Sequence, residues 1–271
     1  MSSGQAPPNV GRITCRENLT QELAIIRVQR ADRSAVPDFK AGQFVALGLK
    51  LDGDDKITYR AYSLSSPPEE KRYFEFYIKW ATEPVMGKFT SALFNMSESS
   101  ELYWRRPAGT FTIEDKKADG SPDGRRLVLV ASGTGLAPFI SYVLHLKNIG
   151  SRRQVVLLHG AKYAQELGYR DMLGRMAAGN PNFKYMPTVS RPDSQLSQGW
   201  RGDTGRVETL LGPKLEKTVD EKITPANSFF HICGYQGTID SVVAILSPLG
   251  FVTNRNKRKD GSFDIKIETY G

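Results

Sequence analysis

The rhythm of apolar and polar positions changes near residue 115. Before it, short apolar runs alternate with turn residues, and QFVALGL (43–49) and YFEFYIKW (73–80) read as strands. In the second, Phe74, Phe76 and Ile78 alternate with Glu75, Tyr77 and Lys79, as strand residues do. One short helix is predicted around KFTSALFNM (88–96), with Thr90 or Ser91 able to cap its N-terminus. Short antiparallel strands with a single helix predict a small β-barrel.

The stretch DKKADGSPDGRR (115–126) is polar and turn-rich, and it is read as a loop near a boundary. Beyond it, RLVLVASGTGLAPFISYVLHLK is an apolar strand, a glycine turn and an amphipathic helix. RQVVLLHG, FKYMPTVS and SFFHICG read as further buried strands with helical segments between them, and FDIKIETY closes the series. Alternating strands and helices predict a doubly wound α/β domain on a parallel sheet. The expected division is therefore an N-terminal antiparallel β-barrel over residues 1–118 and an α/β domain over 119–271.

Composition narrows the function classes. The chain is 39% hydrophobic and 24% charged, as ordinary globular proteins are. Its longest apolar runs are strand-sized, which argues against a membrane span. The first residues, MSSGQAPPNVG, lack the basic and apolar regions of a secretory leader, so a cytoplasmic location is expected. Cys15 and Cys233 are too few for a disulfide framework or a four-cysteine iron–sulfur site, and the three histidines do not suggest a metal site. A net charge of +8 fits nucleic acid, phosphates or an acidic protein partner, but no nucleic-acid module signature accompanies it.

Candidate chemistry sits at predicted strand ends. GTGLAP (133–138) follows the first parallel strand, where Gly133, Thr134 and Gly135 can bring backbone N–H groups to an anion at a helix N-terminus. Pro138 breaks the full dinucleotide fingerprint, and glycines at such turns also serve packing. Ser190 and Arg191 end the third parallel strand, and Arg206 opens the helical segment after GDTG. Two guanidiniums and a hydroxyl suit a dianionic phosphate such as the 2′-phosphate of a dinucleotide, unless both arginines are merely solvated. Cys233 stands at the end of another strand. In the first half, RAYSLSSP (60–67) groups a charge, an aromatic and three hydroxyls, and alone it reads equally well as a polar turn.

Taken in order, RAYS, GTGLAPF and CGYQG on this two-domain grammar resemble the ferredoxin–NADP reductase family, particularly its bacterial flavodoxin/ferredoxin type. The resemblance runs from FKAGQFVALGL to the final IETYG. It implies an enzyme carrying FAD and NADP that moves electrons between NADPH and a one-electron carrier. For FAD it implies that Arg60 pairs with the pyrophosphate, with Ala61 beside it. Tyr62 would lie on the flavin face and Ser63 would bond near the hydride-accepting nitrogen. Tyr77, Ile78, Lys79 and Trp80 would run along the flavin and ribityl chain, while Lys88, Phe89 and Thr90 cradle the pyrophosphate. Thr134 would reach both cofactors. Lys162, standing where relatives often have arginine, would join Ser190, Arg191 and Arg206 on the 2′-phosphate. Cys233 and Gly234 would line the nicotinamide side. Tyr270 would stack on the flavin, and Ser63, Cys233 and Glu268 would line the hydride path.

With no cysteines for its own cluster, the chain is expected to pass electrons to a separate acidic carrier, a ferredoxin or flavodoxin; a monomer is expected. The same fold also serves oxygenase reductases and flavin reductases. A nucleic-acid-binding protein without redox activity and a cofactor-free scaffold are the readings from other classes.

Overall fold

A computed structural model of the chain describes residues 9–270 apart from 52, 54, 83 and 84. Residues 1–8, most of the stretch read above for targeting signals, and Gly271 lie outside it. The chain forms two units: residues up to Thr112 together with Ile140–His145, and the remainder from Ile113 onward.

In the first unit, strands β1 (Asn9–Asn18), β2 (Leu23–Arg30), β3 (Phe44–Lys50), β4 (Ile57–Ser63), β5 (Phe74–Lys79) and β6 (Glu101–Trp104) lie in the order β4-β3-β6-β1-β2-β5. All neighbours are antiparallel. Just past β4, Leu64 bridges to Phe76 and the Ser65 amide donates to the Glu75 carbonyl at 2.8 Å, so the two edges meet and the sheet closes into the expected barrel. Its interior is filled by residues such as Ile26, Val28, Val45, Leu47, Phe74 and Phe76.

One local expectation fails, the helix cap, and strand β5 is more buried than its alternation suggests. Strand β5 is covered on both faces, with Glu75 only 6% and Tyr77 only 3% exposed. Barrel closure is part of the cause, because Leu64–Ser66 crosses onto β5 and the Ser65 hydroxyl reaches Glu75 Oε1 at 3.3 Å. Arg27 Nε, 2.8 Å from Glu75 Oε2, supplies the countercharge that such burial requires. Helix α1 (Lys88–Asn95) begins at Gly87 as its N-cap, and no side chain caps it. Thr90 lies too far into the helix, and its hydroxyl donates to the Gly87 carbonyl at 3.1 Å. Ser91 instead accepts the Trp80 indole N–H at 2.9 Å.

In the second unit, β7 (Arg126–Ser132), β8 (Val155–Ala161), β9 (Phe183–Val189), β10 (Asp203–Thr204), β11 (Ser228–Gly234) and β12 (Ile265–Thr269) form a wholly parallel sheet in the order β10-β9-β8-β7-β11-β12. Helices α2 (Ala137–Asn148, of which Ile140–His145 groups with the first unit), α3 (Arg170–Gly179), α4 (Pro213–Val219) and α5 (Gln236–Leu246) intervene. The strand order reverses between β7 and β11, and right-handed crossovers on either side of such a reversal put helices on opposite faces. This is the expected doubly wound domain.

The segment read as a plain loop holds a buried ion network. Arg125 bonds Asp123 at 2.7 Å and Asp264 at 2.8 Å, and Arg258 also reaches Asp264. Burial pushes the Asp123 carboxyl up, but its bonds to Arg125 and the nearby charges of Arg125 and Arg153 pull it further down, leaving it below the ordinary value. A depressed folded-state pKa contributes stability above the unfolded value of about 3.9, and that contribution is lost as pH falls through the folded pKa. Urea midpoints of Asp123→Asn should therefore fall less steeply than those of the parent below about pH 4. Equal slopes would mean that Asp123 carries no such linkage.

Candidate nucleotide and flavin sites

In the first unit, the register of β4 decides which side chains can act together. Arg60 pairs with Leu47 and Tyr62 with Val45, so Arg60 and Tyr62 share the face of these core residues, whereas Ala61 and Ser63 face the other way. Arg60 and Ala61 are exposed, while Ser63 is buried at the strand's end. The Tyr62 ring packs 6.0 Å from Phe89 and 6.5 Å from Phe76, and burial pushes its phenol well up, so it stays protonated.

Phe89 belongs to the first turn of α1, so this contact joins the Arg60–Tyr62 face to that helix's N-terminus. Uncapped first-turn amides form a ready anion site, and Lys88 adds a charge there. A guanidinium, an aromatic face and a helix N-terminus fit a flavin carrying a pyrophosphate. Other expected contacts are restricted to the backbone. Ile78 and Phe89 have their side chains in the core, and the Trp80 ring stacks on Phe94 at 5.9 Å. Lys79 remains half-buried, 4.0 Å from Glu22.

In the second unit, the strand reversal brings two motifs together. Ser132–Gly135 leaves β7 and Cys233–Tyr235 leaves β11, at the edge where doubly wound sheets bind ligands. The turn's glycines serve different ends. Gly133 has a φ of +56° with open space around it, whereas a Cβ on Gly135 would stand 2.2 Å from the Cys233 carbonyl oxygen. The packing role thus belongs to Gly135, and Gly133 supplies the left-handed conformation. Gly135→Ala should cost about 1–3 kcal/mol of stability, read from urea unfolding. An unchanged midpoint would rule out that close approach.

The Cys233 thiol is fully buried 3.9 Å from Glu268 Oε2, and Cys233 and Glu268 are register partners on β11 and β12. Burial, then the Glu268 carboxylate, pushes this thiol well above its ordinary value, so at neutral pH it is not a thiolate nucleophile. The Tyr270 amide donates to the Gly234 carbonyl at 2.9 Å, bringing Cys233, Gly234, Glu268 and Tyr270 into one cluster. Thr134 lies in the 3-10 turn between β7 and α2.

The phosphate-binding candidates converge at the same carboxyl edge. Ala161, Val189 and Thr204 are register neighbours at the ends of β8, β9 and β10. The next residues along each chain include Lys162, Ser190 and Arg191, and Gly205 and Arg206. The Ser190 and Arg191 amides bond the Ala161 and Lys162 carbonyls at 3.0 Å each. Ser190, Arg191 and Arg206 are exposed. Tyr163 was not anticipated. Its hydroxyl accepts from Arg191 at 3.3 Å, and Lys162 and Arg191 lie 5.4 and 6.0 Å from its ring. The strand-end rule that selected Arg191 applies equally to Tyr163, two residues past β8.

Residues 11–113 match the oxidoreductase FAD-binding domain family and residues 129–244 the oxidoreductase NAD-binding domain family. The chain is 30% identical over 238 residues to a ferredoxin–NADP reductase from Pseudomonas aeruginosa, covering 84% of this chain and 86% of that protein. It is 27% identical over 245 residues to a flavodoxin/ferredoxin–NADP reductase from Buchnera aphidicola, covering 87% of this chain and 89% of that protein. A Na(+)-translocating NADH-quinone reductase component from Pseudomonas aeruginosa is 28% identical over 202 residues, and the match spans 47% of that protein's length. A ferredoxin NADP+ reductase from Neisseria gonorrhoeae, solved with FAD and NADP bound, has a similar fold, with a TM-score of 0.79 and 22% identity over 98% of this chain and 99% of that one. With its FAD-binding barrel and NAD(P)-binding α/β domain, the chain belongs to the ferredoxin–NADP reductase family of oxidoreductases.

Proposed function

We propose that the protein moves electrons between NADPH and a separate one-electron carrier, a ferredoxin or flavodoxin, through FAD. The observation carrying this reading is the cluster of Lys162, Ser190, Arg191 and Arg206 at aligned strand ends, suited to a 2′-phosphate. The FAD-binding part is assigned to residues 1–118 and the NADP-binding part to 119–271, in a cytoplasmic monomer.

FAD, when bound, takes two electrons as a hydride and returns them singly. Arg60 and the α1 amides would hold its pyrophosphate, Tyr62 would supply a flat face, and Ser63 would bond near the hydride-accepting nitrogen. Tyr77, Ile78, Lys79 and Trp80 follow its length, Ile78 through its backbone. Gly133, Thr134 and Gly135 border the dinucleotide. Cys233, held as a neutral thiol, would line the nicotinamide side without competing as a nucleophile. Glu268 would be the group able to hold a proton there, and Tyr270 would cover the flavin ring.

The net charge of +8 supports an acidic carrier as the acceptor. Carrier reduction by the FAD-loaded enzyme and NADPH should slow at least about tenfold from low to physiological-plus salt, as steered encounters do. Reduction of free flavin with no reduction of either carrier would favour a flavin reductase instead. Reduction of only an oxygenase component would favour an oxygenase reductase.

A further inference from the structure

A basic cleft in the second unit lies at the edge opposite the nucleotide motifs. Arg126 begins β7, Gln154 precedes β8 and Asn227 precedes β11, and these residues border a cleft of about 530 Å³. Lys117, Arg125, Arg152 and Arg153 complete its cationic lining, against one carboxylate, Glu221. The seven-residue strands separate it from Lys162, Ser190 and Arg206 by roughly 20 Å.

The lining is not a self-sufficient ion network. Arg125 is satisfied by Asp123, Asp264 and the Pro225 carbonyl. Arg126 is only 7% exposed and donates through Nε to Gln154 and through Nη2 to Glu221, but its buried Nη1 has no hydrogen-bond partner. Arg153 donates through Nε and Nη1 to the carbonyls of Arg125 and Glu114, with Asp115 Oδ1 3.7 Å from Nη1; its buried Nη2 has no hydrogen-bond partner and lies 3.8 Å from Asp123 Oδ1. Buried N–H groups are rarely left this way, and guanidinium donors without partners call for an oxyanion. Arg152 and Lys117, both exposed, stand at the same opening.

We infer that this cleft binds a diphosphate-bearing anion, with Arg126 and Arg153 holding it from below and Arg152 and Lys117 from the rim. The volume exceeds that of one phosphate, so free pyrophosphate and a nucleoside diphosphate share the chemistry. The inference is independent of the NADPH reading, because its residues lie at the other edge of the sheet.

Calorimetric titration of the FAD-loaded protein with pyrophosphate, at ionic strength held constant with chloride, tests it. The parent should bind. Arg152→Glu/Lys117→Glu should bind at least tenfold more weakly at this site, with unchanged NADPH oxidation, while Arg191→Ser/Arg206→Ser should retain it. The charge-reversed residues are exposed, and far-UV circular dichroism verifies their fold. A parallel titration with ADP separates the sources: tighter binding than pyrophosphate assigns a nucleotide, equal or weaker binding the free anion. No binding by the parent, no loss in the Arg152/Lys117 variant, or loss only in the Arg191/Arg206 variant would overturn the inference.

Discussion

Arg191→Ser/Arg206→Ser should lose about 100-fold or more in kcat/KM for NADPH while changing by less than about threefold with NADH. Charge-assisted hydrogen bonds contribute about 1.5–3 kcal/mol each. Both arginines are exposed, so solvent screening places the pair near the lower end of that sum, about 3 kcal/mol. At roughly 1.4 kcal/mol per tenfold, that is two decades in transition-state stabilisation relative to the free species. NADH lacks the phosphate and so loses nothing to these substitutions. Equal losses on both nucleotides would show that the arginines do not read the 2′-phosphate. Tyr163 adds a second signature, since Tyr163→Phe removes the hydroxyl that accepts from Arg191 but keeps the ring beneath both cations.

Asp264→Ala should cost about 3–5 kcal/mol of stability, the usual effect of removing one partner from a buried charge network. Asp264 is 3% exposed and accepts from Arg125, from Arg258 and from the Val252 amide at 3.1 Å. Truncation removes one acceptor from the largely buried Arg125 guanidinium, which keeps Asp123 and the Pro225 carbonyl, and leaves the Val252 amide without its acceptor. Asp264→Asn keeps an acceptor oxygen and should lose less, which ties the effect to the network rather than to volume. Urea unfolding measures both, and a loss under about 1 kcal/mol for the alanine variant would contradict the assignment.

Legibility followed the length of each signal. Strands β7, β8 and β11 announce themselves as largely apolar runs ended by glycine or polar residues, whereas β9, FKYMPTV, is a mixed run ended by Ser190. The carboxyl-end rule then selects Ser190, Arg191 and Cys233. Two-residue β10 carries no periodicity, although its pairing with β9 is what aligns Arg206 with Arg191. Nothing in the alternating strand marks Glu75 as buried, because its partner Arg27 lies 48 residues away. Pairing of this range leaves no local trace. The same holds for Arg125, whose partner Asp264 is 139 residues distant, so a buried network read as a loop. At α1, the hydroxyls of Thr90 and Ser91 looked like caps because a glycine start leaves no polar signature. RAYS was legible as a motif, but only the β3–β4 register separates Arg60 and Tyr62 from Ser63.

The most direct test of the central claim is anaerobic stopped-flow spectroscopy of the FAD-loaded protein. Mixing with NADPH should bleach the visible flavin absorption, and a second mixing with oxidised ferredoxin or flavodoxin should restore it while the carrier is reduced one electron at a time. A protein that takes up no FAD, or whose flavin NADPH leaves oxidised, would contradict the account.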